Sequence, residues 1–398
     1  MTKILLMLKT HQPNRLNEFS FFDLGKSRNY FNEGLNKLVL DRVSDQSYIP
    51  TNRLLKQVIK KSDGKFKISL SISGTTIDQL EKYRPDALDT FVDLVKTGCV
   101  EILSETYHHS LSYFYSKEEF VEQVRLHREK VAGIFDAYPV TFVNTEFTYN
   151  DELANDIHNL GFWGILTESV DWALGEKGPG RLYLANDLDI NVFFRNDGLS
   201  NDIGYRFSDK TWKHYPLDHK TYYRWLMKSG GGILNLFMDY ETFGEHHKRE
   251  TGIFRFFDKL INKILRSRKL EFTRFQDVVA KTSSLDRISI PRTISWADHE
   301  KDLSAWRGNS MQFESLFKVY ELEEKIKKLN QPHLTEIWRN LQISDHFYYM
   351  STKGMTDGEV HNYFSPFFSP HDAYRYYMNV LSDFEIVLNR AIQKEIVP

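Results

Sequence analysis

Two carboxylates are placed where a reaction could use them. Glu146 follows the apolar run at residues 140–144 within Asn144-Thr145-Glu146, and Asp239 closes the run that starts at Ile233 and opens Asp239-Tyr240-Glu241-Thr242-Phe243-Gly244. A carboxylate directly after a strand projects from the rim of a sheet or barrel. Two that converge there suit glycoside chemistry: one ionised and facing the sugar ring, the other kept protonated to release the leaving oxygen. The plainer use of such a carboxylate is to cap the next helix, which is the expectation for Asp151 and Glu152 ahead of the helix starting near Asn150. A second chemistry is open to His11, His108, His109, His246 and His247, which with Asp239 could hold a metal for a sugar deacetylase or a mannosidase. Their spacings match no recurrent ligand motif, so the expectation is no metal and no cofactor.

Both carboxylates depend on elements that hold them at one rim. Seven short apolar runs, at residues 3–8, 66–73, 100–103, 140–144, 162–166, 190–194 and 233–238, have the length and β-branched or aromatic content of strands. Between several of them, residues 76–94, 117–138, 150–160 and 249–265 space their apolar side chains as helices do. Such alternation predicts a parallel sheet. Reactive side chains follow six of the runs: His11-Gln12-Pro13, Tyr107-His108-His109, Glu146, Thr167-Glu168-Ser169, Arg195-Asn196-Asp197 and Asp239-Tyr240-Glu241. A doubly wound sheet collects function from two or three loops, a barrel from most of its strand ends. The expectation is therefore a distorted seven-stranded (β/α)7 barrel over residues 1–303. Helical spacing at 313–329, 334–342 and 372–395 places a C-terminal helical bundle over 304–398. Gly230-Gly231-Gly232 reads as a turn into the seventh strand.

Composition narrows the partners. The 398 residues carry 52 Lys and Arg against 54 Asp and Glu, a formal charge of −2 that leaves no basic face for nucleic acid. The apolar run Ile4–Leu8 is closed by Lys9, too short for a membrane span and poorly made for a signal peptide. Cys99 is the only cysteine, which excludes internal disulfides and points to a reducing, cytoplasmic compartment. With 29 Phe, 21 Tyr and 7 Trp, aromatic residues reach 14% of the chain, enough to furnish sugar-stacking faces besides a core.

These residues carry a family resemblance. His11-Gln12-Pro13, Gly98-Cys99-Val100-Glu101-Ile102 with Tyr107–Leu111, Asn144-Thr145-Glu146, Asp239 through Gly244, and Ser344-Asp345-His346-Phe347-Tyr348-Tyr349-Met350 occur in the order found in glycoside hydrolase family 57. Ser295-Trp296-Ala297-Asp298 with Leu303-Ser304-Ala305-Trp306, and residues 195–207, are similar to it as well. The chain most resembles the α-amylase-type subgroup. The resemblance implies a retaining, double-displacement hydrolase of α-1,4-glucans, with 4-α-glucanotransferase as the alternative. It makes Glu146 the nucleophile and Asp239 the general acid/base, and it places His11, Glu101, His109, Glu241, Trp296, Asp298, Trp306, Asp345 and His346 around the sugar. Glu241, two residues from Asp239, would lie on the same face of a continuing strand and help keep Asp239 protonated. Where some members carry a tryptophan three residues before the nucleophile, this chain has Val143, and His108 stands where an aromatic is common. A glucan-binding protein without activity is the alternative of another class.

Overall fold

The computed structural model describes residues 1–279 and 286–396, so parts of both expected units (280–285, and 397 and 398) lie outside the described residues. Among the described residues the strands are β1 (Thr2–Thr10), β2 (Ile68–Ile72), β3 (Val100–Ile102), β4 (Thr141–Val143), β5 (Gly164–Thr167), β6 (Tyr183–Ala185), β7 (Asn191–Phe194), β8 (Ile233–Asp239), β9 (Leu270–Thr273) and β10 (Asp286–Ile288). Each of the seven apolar runs forms a strand. Strand β1 is apolar without alternation because it is covered on both faces, as central parallel strands are. It pairs with β8 along one edge, from Lys3 opposite Ile233 to Lys9 opposite Asp239, and with β9 and then β2 along the other. Strand β3 follows β2, and a parallel bridge from Ser104 to Phe142 leads on to β4, β5 and β7.

The ring closes from β7 to β8 without a regular ladder. Its seam is made by single polar contacts: Asn196 N donates to Asn235 O at 2.8 Å, Asn235 Nδ2 to Phe194 O at 2.8 Å, and Arg195 Nε to Phe237 O at 3.0 Å. A seven-stranded (β/α)7 barrel distorted at one side is the result. Strands β6, β9 and β10 were not expected; β6 runs antiparallel to β7 and pairs with β10, while β9 inserts beside the first half of β1.

Alternation decides what faces inward. Leu5 and Met7 of β1, Val143 of β4, Leu166 of β5, Phe193 of β7 and Phe237 of β8 fill the barrel, and Phe275 and Val278 join them from the helix Phe275–Val279. The next inward positions along β1 and β8 are Lys9 and Asp239. An apolar plug thus forms the floor, and charged side chains stand on it.

The helices differ from the sequence reading in detail. The stretch 76–94 is two helices, Gly74–Tyr83 and Pro85–Val95, because Pro85 cannot continue a preceding helix and starts the second one instead. Asn150 caps the helix Asp151–Asn159 through Leu153 N; Asp151 instead accepts from Ile290 N at 2.7 Å. Helices Glu33–Val43 and Ile49–Lys61 went unread. The C-terminal region contributes Ser310–Glu321, Glu323–Leu329, Pro332–Leu341, Ser344–Tyr348, Met355–Phe364 and Pro370–Ile396 around a core that joins Trp306, Trp338 and Phe384 to Leu16, Phe19, Tyr30 and Leu111. Among the described residues no helix is long and apolar enough to cross a membrane.

The seam gives a test of barrel closure. Asn235 is fully buried, so Asn235→Ala leaves Phe194 O without its donor and is expected to lower unfolding stability by about 1–3 kcal/mol in a urea titration. An unchanged midpoint would mean that other contacts hold β7 to β8.

Candidate active site

Glu146 is built into a turn of unusual backbone. It lies in the short 3-10 segment Thr145–Phe147 with φ of 56°, and His109 across the rim has φ of 51°. A side chain in the left-handed region costs roughly 1–3 kcal/mol and persists where the surroundings enforce it. Here the surroundings are specific. Trp296 N donates to Glu146 O at 3.3 Å, the indole Nε1 to Glu146 Oε2 at 2.7 Å, and His109 Nε2 to Glu146 Oε1 at 2.7 Å. Lys9 Nζ adds a 3.4 Å ion pair to Oε1. Burial would push this carboxyl upward; the Lys9 ammonium, His109 and the indole N–H outweigh it and hold Glu146 well below the usual carboxylate range.

His109 is itself clamped between acids. Its Nδ1 donates to Glu105 Oε2 at 3.1 Å, and Glu105 Oε1 accepts from Ser71 Oγ at 2.5 Å. Burial and Lys9 disfavour the imidazolium, but the two glutamates prevail and raise His109. Burial would raise Glu105, yet His109, His127 and Lys9 pull it down to about 2. His11 packs beside His109 with ring centroids 4.2 Å apart and planes tilted by 32°, and its Nε2 lies 3.1 Å from Asp345 Oδ2. Burial, then the charge of His109, pushes His11 down to about 4.

Asp239 has the opposite environment. Burial pushes it up, Glu146 adds to this, and His246, Lys9 and Arg195 pull against them; the balance is a raised carboxyl. Glu241 was expected on the same face. The strand stops at Asp239 and a 3-10 turn follows at Tyr240–Thr242, so Glu241 instead turns to Thr10, Gln12 and Tyr48. Burial and then the charge of Asp239 push Glu241 up to about 7. The negative charge that raises Asp239 is that of Glu146.

The remaining expected residues divide. Trp296 and Asp345 join Glu146, His11 and His109. Ser344 N donates to His109 O at 3.1 Å, which carries Asp345 and the C-terminal helix Ser344–Tyr348 to the rim. His346 points away and donates to Asn340 O at 3.1 Å. Glu101 stays inside the barrel a layer lower, beside Ser69 and Thr141, and accepts from Gln276 N. Trp306 is buried among the C-terminal helices against Tyr348. Asp298 pairs with Lys353 at 2.8 Å and His361 at 3.2 Å. Of the histidines considered for a metal, His11 and His109 lie side by side at the rim, while His247 donates to the carbonyls of Ile203 and Gly204 and His108 faces Glu336. Among the described residues, the metal-competent cluster is Asp298, Glu300 and Asp357, with Lys353 already bonded to the first two.

Lys9 and Glu105 were missed in the sequence, whereas Arg195, Tyr205 and Tyr348 fall within stretches named there without a site role of their own. Lys9 shares the inward row with Leu5 and Met7, a period of two that could have revealed it. Arg195 is buried, bonded to Glu168 at 3.0 Å, and lies 5.6 Å from the Trp296 ring. Tyr205, exposed at the surface, and Tyr348 both feel the charge of Glu146.

Similarity to known proteins agrees with this geometry. The model of "Glycosyl hydrolase family 57" matches residues 5–291. A Methanocaldococcus jannaschii protein named "Putative alpha-amylase" is 41% identical over 407 residues, covering 98% of this chain and 86% of that protein. A GH57 branching enzyme from Thermococcus kodakaraensis superposes with a TM-score of 0.73 at 13% identity, over 100% of this chain and 92% of that one. A 4-alpha-glucanotransferase from Thermococcus litoralis gives 0.69 at 15% identity over 96% of this chain, which spans 59% of that longer protein. At such identities these two structures speak to the fold alone.

The buried histidines make stability depend on pH. His346 has an ordinary value of 6.5 and is pushed down to about 4 by burial, so it stays neutral in the fold. Its contribution is whole above pH 6.5 and is lost as pH falls toward 4, at a slope of at most about 1.4 kcal/mol per pH unit. His346→Gln is expected to make the fall in unfolding free energy between pH 7 and pH 5 shallower in urea titrations. An identical slope would contradict the burial of a neutral imidazole there.

Proposed function

The chain belongs to glycosyl hydrolase family 57, and on that premise we propose that it cleaves α-1,4-glucans as an α-amylase does, by double displacement with retention. The observation that carries this reading is the opposed treatment of two carboxyls at one rim: Glu146 held ionised by Lys9, His109 and Trp296, Asp239 pushed toward its acid form by burial and by Glu146.

Each step uses a group whose surroundings favour the required state. Glu146 attacks the anomeric carbon while Asp239 gives its proton to the departing glycosidic oxygen. The bond from Glu146 to the sugar removes the negative charge that had raised Asp239, so the Asp239 carboxyl falls toward the normal range. It is then suited to take a proton from the incoming water, whose oxygen displaces Glu146. His11, His109, Trp296 and Asp345 would line the sugar, with Tyr205 offering an exposed ring at the mouth. The single buried Cys99 and the balanced charge fit a cytoplasmic enzyme acting on neutral polysaccharide.

Transfer to a second sugar has one observation in its favour. His246, whose charge acts on Asp239, stands beside the exposed rings of Tyr363 and Phe364, centroids 6.4 and 6.1 Å away. Aromatic faces next to the acid/base could hold an acceptor glucan in place of water.

Chromatography of the products of maltoheptaose tests both readings. Wild type is expected to give shorter oligosaccharides; products longer than the substrate would assign transfer instead. Glu146→Gln should abolish turnover, and Asp239→Asn should lower kcat by about 10²–10⁴-fold. Full activity in either variant, or binding of maltoheptaose with no product, would overturn the proposed chemistry.

A further inference from the structure

We propose that Lys9 is the positioning residue of the Glu146–Asp239 pair: a fixed cation paired with Glu146 and in strand register with Asp239, whose field both carboxyls share as the negative charge shifts from one to the other during the cycle. This rests on the assignment of Glu146 and Asp239 made above.

Lys9 ends the inward row of the central strand β1, is only 4% exposed, and stands on the apolar plug. Its Nζ lies 3.4 Å from Glu146 Oε1, 3.0 Å from His109 Nε2 and 5.1 Å from the Trp296 ring centroid. Its backbone is the register partner of Asp239 on the neighbouring strand. Taking an ammonium out of water costs several kcal/mol unless charges compensate. Burial indeed works against Lys9, but Glu146, Glu105, Asp239 and Asp345 together leave it raised, so it remains a cation and does not exchange protons with substrate.

A permanent cation at this place has a role in both half-reactions. At the start, Glu146 bears the charge and Asp239 the proton. Forming the bond from Glu146 to the anomeric carbon and breaking the glycosidic bond moves the Asp239 proton to the departing oxygen. Lys9 thereby loses the charge of its ion-pair partner Glu146 while Asp239, on the neighbouring strand, becomes a carboxylate within its field. The second half-reaction reverses the exchange. The groups that share this field are Lys9, His109 and Trp296 at Glu146, and His246, Lys9, Glu146 and Arg195 at Asp239, with Glu241 two residues along. Lys9 is the one cation among those acting most strongly on both carboxyls.

The test is the pH profile of kcat/KM on maltoheptaose for wild type, Lys9→Met and Lys9→Arg. Removing the cation raises both carboxyls. In Lys9→Met the acid limb (Glu146) and the alkaline limb (Asp239) should both move upward, the former by about 1 pH unit or more, with kcat down about 10²-fold. Lys9→Arg should restore the limbs even if kcat stays low. A packing role would reduce kcat with both limbs unmoved, and that result overturns the proposal. If Lys9→Met does not fold, Lys9→Gln is read the same way. Infrared difference titration without substrate separates this idea from the glycosidase reading: comparison of Lys9→Met with Lys9→Met/Glu146→Gln isolates the Glu146 carboxylate band. A midpoint above that of wild type supports the role of Lys9 even if no glucan is cleaved, and an unmoved midpoint refutes it.

Discussion

Charge buried on an apolar floor is the constraint from which the rest of the molecule follows. Leu5, Met7, Phe193, Phe237 and Phe275 close the barrel beneath the rim, so the groups above them have little water to lean on. Glu146, Lys9, His109 and Glu105 must satisfy one another, and they do so as a chain of contacts between 2.7 and 3.4 Å. Buried ion pairs seldom repay their desolvation as stability. What they provide here is a fixed set of protonation states, together with a strained backbone at Glu146 and His109 that those contacts enforce.

The elements around the cluster are arranged to deliver its members. Strand β1 brings Lys9 and its partner β8 brings Asp239, in register. Strand β4 ends just before Glu146. The segment at Trp296 is tied along Glu146 and Tyr149, and the C-terminal helix Ser344–Tyr348 is tied to His109. The C-terminal region is thus part of the rim: without Asp345, His11 would face the mouth with no acid beside it. The irregular β7–β8 seam lies next to Arg195, which reaches from β7 to the carbonyl of Phe237 and to Glu168.

Much of this was legible in the sequence because parallel strands buried on both faces read as apolar runs, and all seven did. Glu146 and Asp239 were visible as carboxylates closing such runs, and the family resemblance added His11, His109, Trp296 and Asp345 to them. The failures have physical causes. Glu101 carries the charge expected of a sugar contact, but it sits one layer lower on β3, where Ser69, Thr141 and Gln276 consume it. Glu241 fails because the strand gives way to a 3-10 turn one residue after Asp239. Lys9 looked like the end of an apolar run; only the ring of neighbours explains a lysine there. Asp298 and Trp306 belong to motifs near the rim in sequence, yet their side chains are taken by Lys353, His361 and the helical core.

The central claim is that Glu146, ionised by its neighbours, forms a bond with the sugar. Its most direct measurement is mass spectrometry of peptides after incubation with 5-fluoro-α-D-glucosyl fluoride, which slows release of a glycosyl-enzyme. A single hexosyl adduct on the peptide containing Glu146, on Glu146 itself, is the outcome this account requires. An adduct on another residue, or turnover with inverted anomeric configuration and no adduct, would contradict it.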